Sequence, residues 1–179
     1  MKGTIMSDID EENAPFYEFQ KFRQWWLWLL FGLPTVLVWW TFIVQIIGGK
    51  PFGQNPAPDL VVWILLAIFG IAMPVIFWFF GMKTVVRDDK IIVGFPPFHR
   101  RVIMLADLKS HKACEYHPIW DFGGYGIRWK AGWGMAYNVS GKHGVEIELN
   151  NGKHIMIGSQ RAEELETAIK YACQQGRFH

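Results

Sequence analysis

The residues best suited to chemistry lie in the second half of the chain. Cys114 and His117, with His111 close by, are candidate metal ligands, and Asp107, Glu115, Asp121, Ser140 and His143 are parts of an acid–base or nucleophilic centre. A zinc site needs three or four ligands, and strand alternation sets Cys114 and His117 on opposite faces. No spacing signature joins a serine, a histidine and an acid here, or pairs two carboxylates. Gly123-Gly124-Tyr125-Gly126 and Gly132-Trp133-Gly134 invite a nucleotide-loop reading. Trp129 stands where the third glycine of G-x-G-x-x-G belongs, however, and no helix follows. Those glycines read as strand ends and bulges. The expectation is therefore a protein with no catalytic, metal or cofactor site.

Cations form the other candidate. Arg100, Arg101, Lys109 and Lys112, with His99 and His111, are the densest basic stretch. Close to an anionic leaflet each contributes about 1 kcal/mol of attraction to lipid head groups. The alternative is a solvated strand edge on which lysine discourages edge pairing. Residues 83–179 hold 14 Lys and Arg against 10 Asp and Glu. That surplus is too small for the basic stripe of a nucleic-acid binder.

What must position these side chains begins upstream. Trp25 to Ile47 and Leu60 to Met82 are each 23 residues long and contain no Asp, Glu, Lys, Arg or His. As a helix each measures about 34 Å, enough to cross a hydrocarbon core of about 30 Å with modest tilt. The sequence predicts a transmembrane hairpin. Lys2, Lys21 and Arg23 precede it and Lys83, Arg87 and Lys90 follow it, whereas the loop holds only Lys50. By the positive-inside rule both termini are cytoplasmic, with residues 48–59 on the far side. An acidic N-terminus and a late, long apolar run argue against a cleaved signal peptide. Cys114 and Cys173, on the cytoplasmic side, are expected as thiols.

Within the spans, Trp25, Trp26 and Trp28 suit an interfacial aromatic belt and so contact with membrane lipids. Trp39 and Trp40 lie deeper, as bulk facing lipid or as contacts to another subunit, a pigment or a quinone. Pro34 and Pro74 fall at similar depth and predict mild kinks. Ala67, Gly70 and Pro74 form a small-residue stripe for close approach, either by the first helix or by a neighbouring protein. With no intramembrane carboxylate, His or Arg, proton relays, ion paths and His-ligated haem are disfavoured. Ahead of the spans, residues 1–14 read as an acidic tail. Phe16, Phe19, Phe22 and Trp26 then recur at helical spacing, as an amphipathic interfacial helix or an extension of the first span.

After Met82 the pattern alternates. Short strands are expected at 84–86, 91–93, 101–105, 110–117, 125–129 and 135–139. Val145, Ile147 and Leu149 then alternate with Glu146 and Glu148, turn at Asn151-Gly152 and return through Ile155 and Ile157 as a hairpin. A helix over 160–174, capped by Ser159, carries Ala162, Leu165, Ile169 and Ala172 on one stripe. The fold class is thus an α+β membrane protein. An N-terminal tail and interfacial helix (1–24) precedes the hairpin (25–82, spans 25–47 and 60–82). A small antiparallel β domain with a C-terminal helix (83–179) follows, in the element order of a pleckstrin-homology-like domain.

Pro96-Pro97-Phe98-His99-Arg100-Arg101, the segment from Tyr116-His117-Pro118-Ile119 to Ile127-Arg128, Ala136-Tyr137-Asn138-Val139-Ser140-Gly141, and Ile157-Gly158-Ser159-Gln160-Arg161 with Glu163-Glu164-Leu165 complete the pattern. Together they resemble a family of small uncharacterised prokaryotic membrane proteins. The resemblance covers about residues 83–170 and implies a two-span anchor in the plasma membrane with a PH-like cytoplasmic domain. It implies no activity and no functional residues. The function expected is a non-catalytic accessory subunit of a larger membrane complex, respiratory or photosynthetic in type. Its partners are lipids and other membrane subunits. The alternative is a free-standing anchored module whose β domain binds head groups or a peptide.

Overall fold

The computed structural model describes residues 14–22 and 25–175, so the expected acidic tail lies almost wholly outside the described residues. The chain divides into two compact units, residues 22–80 and a unit built from 1–21 with 81–179.

The first unit is a pair of helices, α1 (Trp25–Ile47) and α2 (Asp59–Phe79), each apolar and long enough to cross a membrane. The second helix ends three residues before the expected Met82. Phe80 turns to an extended backbone, and Gly81 and Met82 belong to a strand. Pro74 shapes the contact between the helices. Residues Leu66–Ala72 adopt the wider π turn, with the N–H of Met73 donating to Ile68 O. In that register Phe69 O would take its proton from residue 74, and proline has none. Thr35 Oγ1 of α1 stands 2.9 Å from both Phe69 O and Phe31 O, so its one proton is shared between them, while Trp39 Nε1 donates to Gly70 O at 3.2 Å. Phe77 packs against Trp28 and Phe31, and Phe42 against Trp63. At the loop end Gln45 Nε2 donates to Ala57 O and Asp59 Oδ1.

Among the described residues the second unit holds nine strands. One sheet has the order β1 (Phe16–Lys21), β2 (Gly81–Val86), β3 (Lys90–Phe95), β4 (His99–Met104), all antiparallel. The other has the order β5 (Leu108–Glu115), β8 (His143–Leu149), β9 (His154–Gly158), β7 (Gly134–Asn138), β6 (Gly126–Lys130). It is mixed, because β7 and β9 run parallel. A short helix α3 (Pro118–Phe122) sits between β5 and β6, and α4 (Ala162–Gln175) closes the chain. Val86, Ile91, Val93 and Ile103 of one sheet are buried, as are Val145, Ile147, Ile155 and Ile157 of the other and Leu165 and Ile169 of α4. Both sheets and the helix thus contribute buried apolar side chains, and Tyr116, Ala136 and Met156 form a cluster with Cys114, Phe122 and Trp133 packed against it.

β1 corrects the expected interfacial helix. Phe16, Phe19 and Phe22 are three apart, which imitates a helical period, yet the segment pairs with β2 from Phe16↔Val86 to Lys21↔Gly81. Its buried face is Phe16, Glu18 and Gln20, while Tyr17, Phe19 and Lys21 are exposed. The polar residues point inward because they have partners there. Glu18 accepts from Ser159 Oγ at 2.6 Å, Gln20 Nε2 at 3.1 Å and the Gln160 N–H at 3.1 Å, and Gln20 also donates to Gly158 O. Ser159 in turn accepts from the Arg161 N–H. The β domain therefore begins at β1, before the helices, rather than at residue 83. In chain order the helical pair is an insertion between two adjacent, paired strands.

Candidate functional site

The basic residues singled out from the sequence separate in space. Arg100 and Arg101 lie on β4 of the first sheet, Lys109 and Lys112 on β5 of the second. Lys109 donates to Glu148 at 2.6 Å, and Ser110 donates to the same carboxylate. Those two hydrogen bonds hold the Glu148 carboxyl below its usual range. Lys112 borders a shallow depression with Ser110, Glu146, Glu148 and His154. This face is of mixed charge rather than a cation patch.

Arg101 takes part in something different. With Trp129, Lys130, Gly132, Trp133, Gly134, Met135, Gly152, Lys153 and His154 it lines an open cleft of about 490 Å³. Among the described residues no Asp or Glu lines this cleft. The parallel β7–β9 pair builds it, because it sets the β6–β7 turn beside the β8–β9 turn. Gly134 is level with His154, and the His154 N–H donates to Trp133 O at 2.8 Å. The strands meet so closely there that a Cβ on Gly134 would stand 1.9 Å from His154 O, and its φ of +146° also favours glycine. The cleft wall is stiffened by rings. Trp133 stacks on His154 at 5.3 Å and packs on Phe122 at 5.0 Å, and Lys130 stands over the Phe122 ring at 5.7 Å. Glu146 Oε1 lies 2.9 Å from His154 Nδ1. A carboxylate oxygen accepts, so Nδ1 carries the proton and the ring orientation is fixed.

Arg101, Lys130 and Lys153 beside Trp129 and Trp133, with no carboxylate among the described lining residues, give the cleft a basic and aromatic composition suited to an anion. Lys130, Lys153 and Trp133 were not legible as a group. Their one local signal is that each stands within two residues of a turn glycine, Gly132 or Gly152.

The residues proposed for chemistry do not assemble. Among the described residues no three of His, Cys, Asp and Glu converge as metal ligands. Cys114 is half-buried and packs against Tyr116, Ala136 and Met156. Burial, then the Glu146 charge, pushes its thiol pKa up, and burial carries the Tyr116 phenol well above its ordinary range. Both stay protonated at neutral pH and are poor nucleophiles. Asn138, the acceptor of the glycosylation-like Asn138-Val139-Ser140, is fully buried in β7.

In the helical pair, Trp25, Trp26 and Trp28 are exposed at the start of α1. Trp39 and Gly70 meet each other across the pair, so close approach at Gly70 is made by the first helix. Trp40 and Ala67 stay on the outside, and Pro74 is half-buried.

Residues 10–175 match the model of a family of unknown function (DUF6141). No curated protein and no solved structure matches the chain.

Proposed function

The chain belongs to that family of unknown function, and from the composition of the helices and of the cleft we propose a non-catalytic, membrane-anchored binding module. In this reading α1 and α2 cross the plasma membrane with both termini cytoplasmic, and the β domain holds a phosphate-bearing head group in the cleft. The observation that carries it is the lining itself: Arg101, Lys130 and Lys153 around Trp129 and Trp133, with no carboxylate. Support for the anchor comes from the outward side chains of the helices, such as Leu33, Trp40 and Phe79, which would cost several kcal/mol together if left in water. The succession of strands and one closing helix supports a PH-like description of the domain, from which the parallel β7–β9 pair departs.

The test is titration of the full chain, in mild detergent, with glycerol phosphate and inositol phosphates, followed by tryptophan fluorescence. Lys130→Ala and Lys153→Ala together are expected to weaken binding at least tenfold, and Lys109→Ala to leave it unchanged. Equal binding by all variants counts against the cleft, and saturable binding of an acidic peptide in place of phosphates would move the assignment to a protein ligand.

A second reading, an accessory subunit of a larger membrane complex, draws on Trp40, 59% exposed, and on Ala67. Native mass measurement after mild extraction decides it: a lone monomer or homo-oligomer ends that reading.

A further inference from the structure

We propose that the turn between β3 and β4, Pro96-Pro97-Phe98, rests in the interface of the membrane that the helices cross. This rests on the anchor reading above, and it goes beyond it by naming a contact surface on the β domain.

The argument starts from strand register. β1 ends at Lys21 opposite Gly81, the first residue of β2. Farther along the same sheet Lys83 is level with Gly94, and Phe95 with His99. The β3–β4 turn therefore lies at the end of the sheet where the chain leaves for α1 and returns from α2. The return is short: α2 ends at Phe79 and β2 begins at Gly81, so Phe80 alone joins them. One residue spans at most about 3.6 Å. That end of the sheet is consequently held at the surface into which α2 is inserted.

The residues there suit such a surface. Phe98 is 68% exposed, and Pro96 and Pro97 are exposed beside it. The turn is closed by the Phe98 N–H donating to Phe95 O at 2.9 Å, which presents this apolar tip in one shape. The same end of the sheet carries Lys21, Lys83 and Arg100, and no Asp or Glu occurs in 19–22, 80–84 or 93–101. The opposite end of the same sheet carries Asp88 and Asp89 in the β2–β3 turn, with Asp107 beyond β4. An apolar tip with Lys21, Lys83 and Arg100 at its end of the sheet, and the acids at the far end, is complementary to an anionic leaflet. The partner is therefore the lipid surface.

The full chain, with Cys114 and Cys173 replaced by serine, is reconstituted into vesicles of zwitterionic and anionic phosphatidyl lipids. An environment-sensitive fluorophore is attached at Phe98→Cys, at Arg100→Cys as a second reporter should the first fail to fold, and at Asp88→Cys as the far-end control. The expected result is blue-shifted emission at 98 and at least twofold stronger quenching there by brominated lipid than at 88. Emission at both 98 and 100 as water-like as at 88, in protein that resists alkaline extraction, overturns the turn contact and leaves the anchor standing. Protein that alkaline extraction releases overturns the anchor reading and this inference with it.

Discussion

Glu18→Ala tests the claim that the strand before the helices is an integral part of the β domain. Glu18 is 7% exposed and accepts three hydrogen bonds, from Ser159, Gln20 and the Gln160 backbone. Hydrogen bonds to a charged acceptor contribute about 1.5–3 kcal/mol each. The sum overstates the loss, because Gln20 keeps Gly158 O, Ser159 keeps the Arg161 N–H, and alanine removes the cost of burying the carboxylate. A net loss of about 3 kcal/mol follows, which is roughly a 100-fold increase in local opening. Hydrogen exchange of the full chain in detergent reads this directly. Amides of β1 and of the first turn of α4 are expected to exchange roughly 100-fold faster, while those of β8 and β9 change little. Glu18→Gln, which keeps one acceptor oxygen, should give about half the free-energy loss. Unchanged protection of 16–21 in the alanine variant would refute the reasoning, and so would equal effects of the two substitutions.

Three other outcomes follow from the same geometry. Replacing residues 22–80 by Asn-Gly joins β1 to β2 through a two-residue turn and should give a water-soluble monomer with β-type circular dichroism; an aggregated product counts against the inserted arrangement. Gly134→Ala should destabilise the β domain by about 3 kcal/mol or more in denaturant unfolding, because its Cβ meets the backbone of β9 rather than a flexible side chain; a shift below about 1 kcal/mol would show that the strands can part cheaply. Glu148, held below its usual range by Lys109 and Ser110, ionises more readily folded than unfolded. Its contribution is thus present above the ordinary carboxyl range and lost as pH falls through the lowered value. Lys109→Ala should flatten that acid limb of stability in unfolding measured across pH, and an unchanged limb would show that the surface pair contributes nothing.

Most of the β domain was legible because its periodicity is local. Val145, Ile147 and Leu149 alternate with acids, Asn151-Gly152 turns, and the β8–β9 register follows. Leu165, Ile169 and Ala172 mark the buried side of α4 in the same way. β1 was hidden because two of the three residues it buries are Glu18 and Gln20, with partners about 140 residues away. No local pattern distinguishes a polar residue with a distant partner from one facing water. The cleft was hidden for a related reason. Lys130 and Lys153 come together through a parallel strand pair, which joins segments that are not neighbours in the chain, and Arg101 comes from β4 of the other sheet. In the helices the length of α1 was read correctly, whereas the π turn that spares Phe69 O, and so draws in Thr35, depends on side chains across the pair.

The insertion of the helical pair between β1 and β2 also bears on how the protein is made. β1 leaves the ribosome before either helix, and its ladder partner β2 follows only after both have been synthesised. Until then β1 has an open hydrogen-bonding edge and two inward polar side chains without partners. Its lock to Ser159 and Gln160 comes later still, after the strands of both sheets have been synthesised. β1, made before the helices, is thus among the last elements to be secured, and completion of the β domain requires that both helices have already been synthesised.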